Sequence, residues 1–577
     1  MKKNYILKVI PIQPLPPHCP DFFIYYSQDY IKSGSLVKIE FNKKKTIGYV
    51  IKCLPFKELK YFIKNLNFNI KSIEGILDEN DYFLNYQKKL AYWISRSYYT
   101  SLAFACYLFL KNNIKLKITD ESYNINKFKN SYKEILLKDE DISCLTKELP
   151  KPIFIIAPDQ LYAANIYEKY KNKIENLIFL NKRTQIDKIF KKTIFENKYI
   201  YLSGKTSIFL PLLNIKSIIV LDEGNIFYKE FFKQPNLNYL DIIKKTAKIL
   251  SLNVVYISKL PTFKSIIKFK PVIEKINFNK IETLEELKQI IYENKITKIY
   301  VPHKSLAYKL YCLNCNYEAI CNKCNNLLTV LDKYLFCRFC HKLYELNNIC
   351  PKCKKEELSV KGWGGLWLKK YLDHLNIKSY YIQTKNDLEK LIKRNNIYDY
   401  KAIIGSWYLL KIYHHTEASV FINFDKSFYN HEHINKEISI RIAHFLYDSS
   451  NQLFIHTKLD EKSLEKIKNG NILKEIILER KEKKLPPFWN NIKILSSLKN
   501  LEDLKRRLIY IKNSLEKRLF LSNKKFFLYG PFLDRIYKNK NRYQAFILLK
   551  VPYNTNLKKL LDDIKYIEKI EIENISF

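Results

Sequence analysis

Along the first fifty residues, apolar and polar positions alternate in short runs such as "SLVKIEF" (35–41) and "TIGYVIK" (46–52), with Pro-rich or Lys-rich turns between them. A period of two marks half-buried strands, so residues 1–53 read as a small β-rich domain. From about 80 to 110 the period lengthens, and "NYQKKLAYWISRSYYTSLAFACYLFL" (85–110) has helical spacing. Residues 111–150 are polar, Lys-rich and without glycine, and are expected as a linker or a poorly packed segment. A parallel α/β alternation follows. Its strand candidates are "PIFIIAP" (152–158), "NLIFL" (176–180), "YIYLS" (199–203), "SIIVLDE" (217–223) and "NVVYIS" (253–258), separated by Lys-rich helical stretches. A second series comprises "KIYVPH" (298–303), "SYYIQT" (379–384), "KAIIGSW" (401–407), "ASVFINFD" (418–425) and "QLFIHT" (452–457). After "KLPPFW" (484–489) a shorter α+β segment runs to residue 577.

With 577 residues the chain is expected to form several cores, since one core rarely exceeds ~250–300 residues. The net charge of +42 favours a polyanionic partner, nucleic acid ahead of a membrane surface. Lys and Asn are abundant and there are only 11 Gly, so part of that charge reflects composition. Apolar runs such as "SIIVL" (217–221) fall far short of the ~18 residues of a membrane span. Lys8 and four prolines interrupt any signal-peptide core in "MKKNYILKVIPIQPLPP". A cytoplasmic location follows as the expectation, and in a reducing compartment clustered cysteines bind metal more often than they pair.

The strongest motif is "CLNCNYEAICNKCNNLLTVLDKYLFCRFCHKLYELNNICPKC" (312–353). It holds four Cys-x-x-Cys pairs: Cys312/Cys315, Cys321/Cys324, Cys337/Cys340 and Cys350/Cys353. Each pair sits on a tight knuckle and offers two corners of a tetrahedron, so four pairs imply two Zn2+ ions per chain. Full thiolate ligation leaves no open position for water, which points to structural sites. Spacing alone permits sequential or nested grouping of the pairs. Cys19, Cys53, Cys106 and Cys144 are scattered and read as packing residues, and His414, His415, His431 and His433 lack zinc-enzyme spacing and read as surface residues.

These nested cysteines, followed by "GWGG" (362–365), resemble the cysteine-rich insert in the second helicase lobe of the PriA (primosomal protein N′, replication restart) family. The resemblance extends to "PHKSLAYKLYC" (302–312), to "LDEGNIFYKE" (221–230) at the Asp-Glu-Glu-His motif, and to "ISKLPT" (257–262) at Gly-Ser-Ala-Thr-Pro. It also covers "ERKEKKLPPFW" (479–489) and "YGPFLDRIYKNKNRYQAFILLK" (529–550) at the C-terminal domain, and "DFFIYYSQDYIKSGSLVKIEFNKKKTIGYVIK" (21–52) at the domain that binds a DNA 3′ end. The fold it implies is a multidomain α/β chain with two degenerate RecA-like helicase lobes and a double-zinc insert, flanked by a β-rich N-terminal and an α+β C-terminal domain. The implied bounds are 1–110 for the 3′-end domain, 111–150 for a linker or winged-helix remnant, 151–275 for lobe 1, 276–480 for lobe 2 with the insert at 312–353, and 481–577 for the C-terminal domain. It also implies nested ligation: Cys312, Cys315, Cys350 and Cys353 on one zinc, Cys321, Cys324, Cys337 and Cys340 on the other.

The stretch "SGKTS" (203–207) ends like a P-loop, but a P-loop needs a first glycine five residues before the second, and Tyr199 stands there. By the resemblance this segment is a DNA-side motif, with the true P-loop expected before "IIAPDQL" (155–161). No glycine occurs between Gly75 and Gly204. Asp222 and Glu223 remain of the Mg2+-binding motif, with Gly224-Asn225 in place of Glu-His. The stretch 438–457, where the family carries Gly-Arg-x-Gly-Arg, has no glycine and only Arg441, and Ile412 replaces a glycine of the preceding motif. ATP and Mg2+ are therefore not expected as cofactors, and Asp222 and Glu223 are the only catalytic remnant.

Basic residues interleaved with aromatics suit single strands and forks. Asp21, Phe22, Lys43, Lys205, Arg535, Lys540, Arg542 and Tyr543 are the candidate DNA contacts. Asp21-Phe22-Phe23 lies closest to the family's Phe-Asp-Tyr segment for 3′-end capture, one register off, and Asn42 replaces a loop glycine. The leading expectation is a monomeric restart factor that binds forks and single-stranded DNA without translocating. Its expected partners are primosome proteins, the machinery that loads the replicative helicase, and single-stranded-DNA-binding protein. The alternatives are an active 3′→5′ helicase with divergent motifs and a zinc-ribbon RNA-binding protein.

Overall fold

In the computed structural model, the described residues are 4–17, 19–56, 70–112, 132–139, 141–181, 189, 193, 195–230, 235–302, 309–322, 325–331, 334–337, 342–361, 363–393, 397–425, 433–521, 525–537, 542–553, 555–562, 564, 567 and 569–573. They divide into two compact units. The first holds Met1–Ser258, Asn513–Phe526 and Val551–Ile572, the second Lys259–Lys512, Phe527–Lys550 and Glu573–Phe577. Among the described residues no helix is long and apolar enough to cross a membrane.

In the first unit, the alternation of the first fifty residues becomes an antiparallel sheet. Its strands are Tyr5–Pro11 (β1), Phe23–Ser27 (β2), Leu36–Phe41 (β3), Lys44–Pro55 (β4) and Gly75–Asp78 (β5), in the order β2-β1-β4-β3-β5. On β3, Val37, Ile39 and Phe41 are buried while Lys38 faces solvent. The β3–β4 hairpin turns on Asn42 and Lys43, both with positive φ (49° and 61°). A two-residue turn of that kind needs left-handed backbone, which Asn tolerates best after Gly, so Asn42 does the work of the glycine it replaces. Helices Asn85–Ser97 and Leu102–Asn112 follow, with Leu90, Ile94, Ala105 and Phe109 inward. They share one core with Phe154, Tyr201 and Val220 of the next sheet. Two hydroxyls tie the layers: Tyr86 donates to the Leu210 carbonyl (2.9 Å) and accepts from the Leu212 N–H (2.8 Å), and Tyr98 donates to the Asn238 carbonyl (3.1 Å).

That next sheet is parallel. It holds Glu134–Leu137 (β6), Ile153–Ala157 (β7), Leu177–Phe179 (β8), Ile200–Gly204 (β9), Ser217–Leu221 (β10) and Asn253–Ile257 (β11), in the order β6-β11-β10-β7-β9-β8. β7, β9 and β10 are buried at every position, as strands covered on both faces must be. The interval 111–150 therefore differs from the linker its composition suggests. Residues 113–131 lie outside the described residues, but Glu134–Leu137 pairs with β11 at the sheet edge and Ile142–Glu148 is a helix with Ile142 and Leu145 buried. An edge strand with half-exposed side chains carries a weak hydrophobic signature, which is why "EILL" reads as polar surroundings.

The second unit repeats the architecture. Asn279–Ile281 (β12), Thr297–Tyr300 (β13), Ser379–Ile382 (β19), Ala402–Gly405 (β20), Thr416–Phe421 (β21) and Ser450–His456 (β22) form a parallel sheet in the order β12-β22-β21-β13-β20-β19. Between β13 and β19 lies the cysteine-rich insert, with Lys309–Cys312 (β14), Leu328–Val330 (β15), Tyr334–Cys337 (β16), Leu343–Glu345 (β17) and Leu358–Lys361 (β18). The C-terminal strands are Trp489–Leu498 (β23), Phe527–Tyr537 (β24) and Arg542–Pro552 (β25), with β25 between the other two.

One buried ionic cluster fastens this unit. The Glu437 carboxylate meets Arg441 (2.9 Å) and Arg480 (2.8 Å), all three below 5 % exposed. Arg441 also donates to the Leu260 and Pro261 carbonyls (3.1 Å each), Arg480 to the Pro486 carbonyl (3.3 Å), and both guanidiniums lie over the Phe263 ring. Replacing Glu437 with Gln leaves two buried cations without their counter-charge, and is expected to cost about 3–5 kcal/mol in denaturant unfolding. A loss below ~1 kcal/mol would show that the cluster is not the fastening. One turn along the same helix, burial and the neighbouring Arg441 charge hold the His444 imidazole down at about 3, from 6.5. His444 is thus neutral in the fold and takes up a proton on unfolding, so its contribution is complete above about pH 6.5 and shrinks as pH falls from there towards 3. His444→Phe should flatten the acid limb of the Tm profile between pH 6.5 and 4, and an unchanged limb would assign that limb to other groups.

Candidate functional site

Three knuckles of the cysteine-rich insert are visible in the backbone alone. After Cys315, Cys324 and Cys353 the next residue (Asn316, Asn325 and Lys354) has positive φ. Its N–H donates to the carbonyl of the first cysteine, Cys312, Cys321 or Cys350. The first cysteine's N–H in turn reaches the carbonyl five residues on (Tyr317, Asn326, Lys355), and Cys337 makes the same bond to Lys342. Such knuckles aim backbone N–H groups and two thiols at one point. The antiparallel pair β14 and β18 then brings Cys312 and Cys315 beside Cys350 and Cys353. The Sγ atoms of Cys312 and Cys353, and of Cys315 and Cys350, are 3.6 Å apart, and all four lie within 4.8 Å of one another.

Tetrahedral zinc at ~2.3 Å from each sulfur requires S···S separations of about 3.8 Å, and this thiol set lies close to that arrangement. The Lys355 backbone N–H pulls the Cys353 thiol down to about 6, while burial pushes the Cys315 thiol up to about 12, so the set holds both a thiolate and a thiol until a cation takes the second proton's place. Cys321 and Cys337 are both buried, with Cys321 Sγ 3.0 Å from the Tyr344 hydroxyl, while Cys324 and Cys340 lie outside the described residues. Of the scattered cysteines, Cys106 is buried but Cys144 is exposed on its helix, so Cys144 is not a packing residue. His414 and His415 are exposed, His431 is outside the described residues, and so is the His433 side chain. Cys350→Ser should lower bound metal by one equivalent in elemental analysis, and an unchanged content would exclude this cluster as a metal site.

The first unit contains a cavity of about 460 Å3 between its antiparallel sheet and its helices. Asp21, Phe22, Gly34, Asp81, Lys88 and Cys106 are among its lining residues. Phe22 is 36 % exposed, with the Lys8 ammonium 4.7 Å over its ring. Asp81 is held by the Lys88 ammonium and by the Tyr49 hydroxyl, which donates at 3.1 Å. Gly34 has φ +99°, and a Cβ there would fall 2.6 Å from the Asp81 carboxyl, so only glycine lets the two segments meet. Burial pushes the Cys106 thiol up to about 12, with the Asp21 charge adding to it. The cavity thus offers a ring face, two carboxylates and a lysine around apolar walls. Asp21 and Phe22 belong to it, whereas Lys43 stands on the hairpin tip. Gly34, Asp81 and Lys88 carry no periodic signal and were not legible as site residues before folding joined them.

Residues 12–110, which enclose this cavity, match the family model of the PriA 3′DNA-binding domain. The chain is also similar over most of its length to proteins described as replication restart protein PriA. That of Helicobacter pylori is 23 % identical over 474 residues, 71 % of this chain and 73 % of the relative. That of Borreliella burgdorferi is 23 % identical over 552 residues, 80 % and 82 %. That of Buchnera aphidicola is 24 % identical over 431 residues, 66 % and 58 %. The chain is thus similar to the PriA family, in this domain and over most of its length.

In open parallel α/β sheets ligands bind at the carboxyl ends of the strands, which here is the carboxyl edge of the sheet β6 to β11. "SGKT" does not form a loop there. Ser203 and Gly204 end β9 and Lys205 opens a 3-10 turn, with the Gly204 N–H donating to Gln160 Oε1 (2.9 Å). Lys205 Nζ donates to the Phe227 carbonyl and lies 4.7 Å over the Tyr239 ring, so this candidate DNA contact is engaged within the unit. Asp222 has φ +48° and accepts from Asn225 Nδ2 (2.7 Å), while Glu223 is buried and its N–H donates to the Ile257 carbonyl. The strand–helix unit before β7 is β6 and Ile142–Glu148, joined by Lys138, Asp139, Glu140 and Asp141. Asp141 Oδ1 accepts from the Ser143 N–H and from the Ser143 hydroxyl, both at 2.9 Å, and these bonds, the N–H first, hold its carboxyl below the usual range. In the second unit, Arg441 is committed to the core cluster with Glu437. Arg542 is exposed and Tyr543 half-buried at the start of β25, and Arg535 pairs with Gln544 along the backbone. The Arg535 side chain and Lys540 lie outside the described residues.

Proposed function

We propose that this chain is a cytoplasmic replication restart factor that binds forked and single-stranded DNA and promotes primosome assembly without ATP-driven unwinding. Its parallel sheets act as two RecA-like lobes whose nucleotide chemistry is gone, and it carries two structural zincs, the second on Cys321, Cys324, Cys337 and Cys340. The insert then serves as a rigid platform for primosome proteins, the machinery that loads the replicative helicase and single-stranded-DNA-binding protein, and the chain acts as a monomer.

The observation that carries the reading is the turn after β6. A phosphate cradle needs a wide glycine loop whose N–H groups, together with the start of the following helix, face the anion. Here the sequence between β6 and the helix, 138–141, has no glycine, and Asp141 itself accepts from the Ser143 N–H. A triphosphate brought to this helix start meets the Asp141 carboxylate. The second reading, an active 3′→5′ helicase, is favoured by Asp222 and Glu223 at the end of β10.

At the other end of the same unit, the cavity suits a terminal nucleotide. The Phe22 ring offers a stacking face, Lys88 and Lys8 bring positive charge, and the carboxylates of Asp21 and Asp81 can accept from a 3′-hydroxyl but repel a 3′-phosphate.

Two measurements test these statements. Steady-state ATPase assays on metal-replete protein with forked DNA should give no DNA-stimulated turnover, and turnover abolished by Asp222→Ala would replace this reading with the helicase. An oligonucleotide ending in a 3′-hydroxyl should bind at least about ten-fold tighter than its 3′-phosphorylated form, and Asp21→Asn should narrow that ratio. Equal affinities would remove 3′-end capture from the proposal.

A further inference from the structure

The first unit is completed from the far end of the chain, by Asn513–Phe526 and Val551–Ile572. In the later segment the short helix Leu557–Leu561 is held by a cap at each end. At its start Asn556 Oδ1 accepts from the Lys559 N–H (3.1 Å). At its end Arg518 donates to the Leu560 carbonyl (3.3 Å) and to the Asp562 carbonyl, where a helix leaves its acceptors unpaired. Leu557, Leu560 and Leu561, at i, i+3 and i+4, are buried, while Lys559 is exposed.

This short helix packs on the helix Asn85–Ser97, which carries Gln87, Lys88, Ala91 and Tyr92 of the cavity wall. A helix of 13 residues is marginal by itself in water, so its position is set by what packs against it. A second set of contacts closes a ring around it. Tyr98, at its C-terminal cap, donates to the Asn238 carbonyl and accepts from the Asn238 N–H (3.3 Å). Asn238 in turn caps the helix Tyr239–Leu250, whose first turn holds Asp241. Asp241 Oδ2 accepts from the Tyr553 hydroxyl (3.5 Å), just ahead of the short helix. Burial first, then the Asp241 charge and the Tyr553 hydroxyl, push the Tyr98 hydroxyl well above its ordinary range, as three groups gathered in one place should.

We propose that this late segment is a strap that sets the position of the cavity's helical wall, with Leu561 and Tyr553 as positioning residues for the hold on a DNA 3′ end. Neither is among the residues that line the cavity, and both act through the helix Asn85–Ser97, from which Lys88 reaches Asp81. A site of this kind loses discrimination when its supporting shell is loose by about 1 Å. Capture of an end is thereby tied to a chain folded from its early and its late parts together. The proposal rests on the end-capture reading above and deepens it.

Full-length variants test it through the ratio of affinities for oligonucleotides ending in a 3′-hydroxyl and in a 3′-phosphate. Leu561→Ala leaves a gap under the strap and should bring that ratio from about ten-fold down towards one. Affinity for closed circular single-stranded DNA, which offers no end, should stay the same. Leu561→Met keeps the volume and should keep the ratio. Tyr553→Phe opens no gap and should lower the ratio about two-fold by releasing Asp241. In hydrogen exchange, Leu561→Ala should speed the amides of Asn85–Ser97 while those of β10 are unchanged. If β10 loosens as well, Tyr553→Phe decides, and an unchanged ratio in that variant overturns the strap. A wild-type preference for the 3′-hydroxyl that both variants retain removes the strap and leaves end capture standing. A wild-type ratio near one removes end capture, and the strap with it.

Discussion

A helix that follows a parallel strand presents unpaired N–H groups at the carboxyl edge of its sheet, and something must accept from them. After β6 the acceptor is Asp141, four residues past the strand end. Much of what the first unit can do follows from that local choice. With a carboxylate seated at the helix start, the dipole that would draw a phosphate is already answered. Asp222 and Glu223, at the end of β10, stand two strands away with hydrogen bonds inside the protein. In the second unit the corresponding event is the use of Arg441 as a core fastener for Glu437.

Elements with a strong period were legible in the sequence. All ten expected strands of the two parallel series overlap an observed strand, most of them within about two residues, and β7, β9 and β10 show why: strands covered on both faces leave unbroken apolar runs. The cysteine knuckles were equally plain, since the spacing is itself the geometry. "EILL" (134–137) was not legible, because an edge strand is specified by its neighbour β11 more than by its own residues. With it went the helix Ile142–Glu148, which contains few apolar residues and is held by the burial of Ile142 and Leu145.

Site residues divided along the same line. Asp21 and Phe22 could be named because they sit in one motif, but their partners Gly34, Asp81 and Lys88 come from three other segments. No local pattern announces that a glycine at 34 exists to admit an aspartate at 81. For Lys205 the sequence shows a lysine after glycine, and only the fold shows its ammonium on the Phe227 carbonyl and the Tyr239 ring.

The core shared by the helices Asn85–Ser97 and Leu102–Asn112 with β7, β9 and β10 has a further consequence. Those helices form one wall of the cavity, and their other side rests on the sheet through Tyr86 and Tyr98. The sheet is thus the foundation of that wall. Its two faces are under constraint whatever happens at its carboxyl edge, because a gap beneath Tyr86 would tilt the helices and reshape the cavity from below.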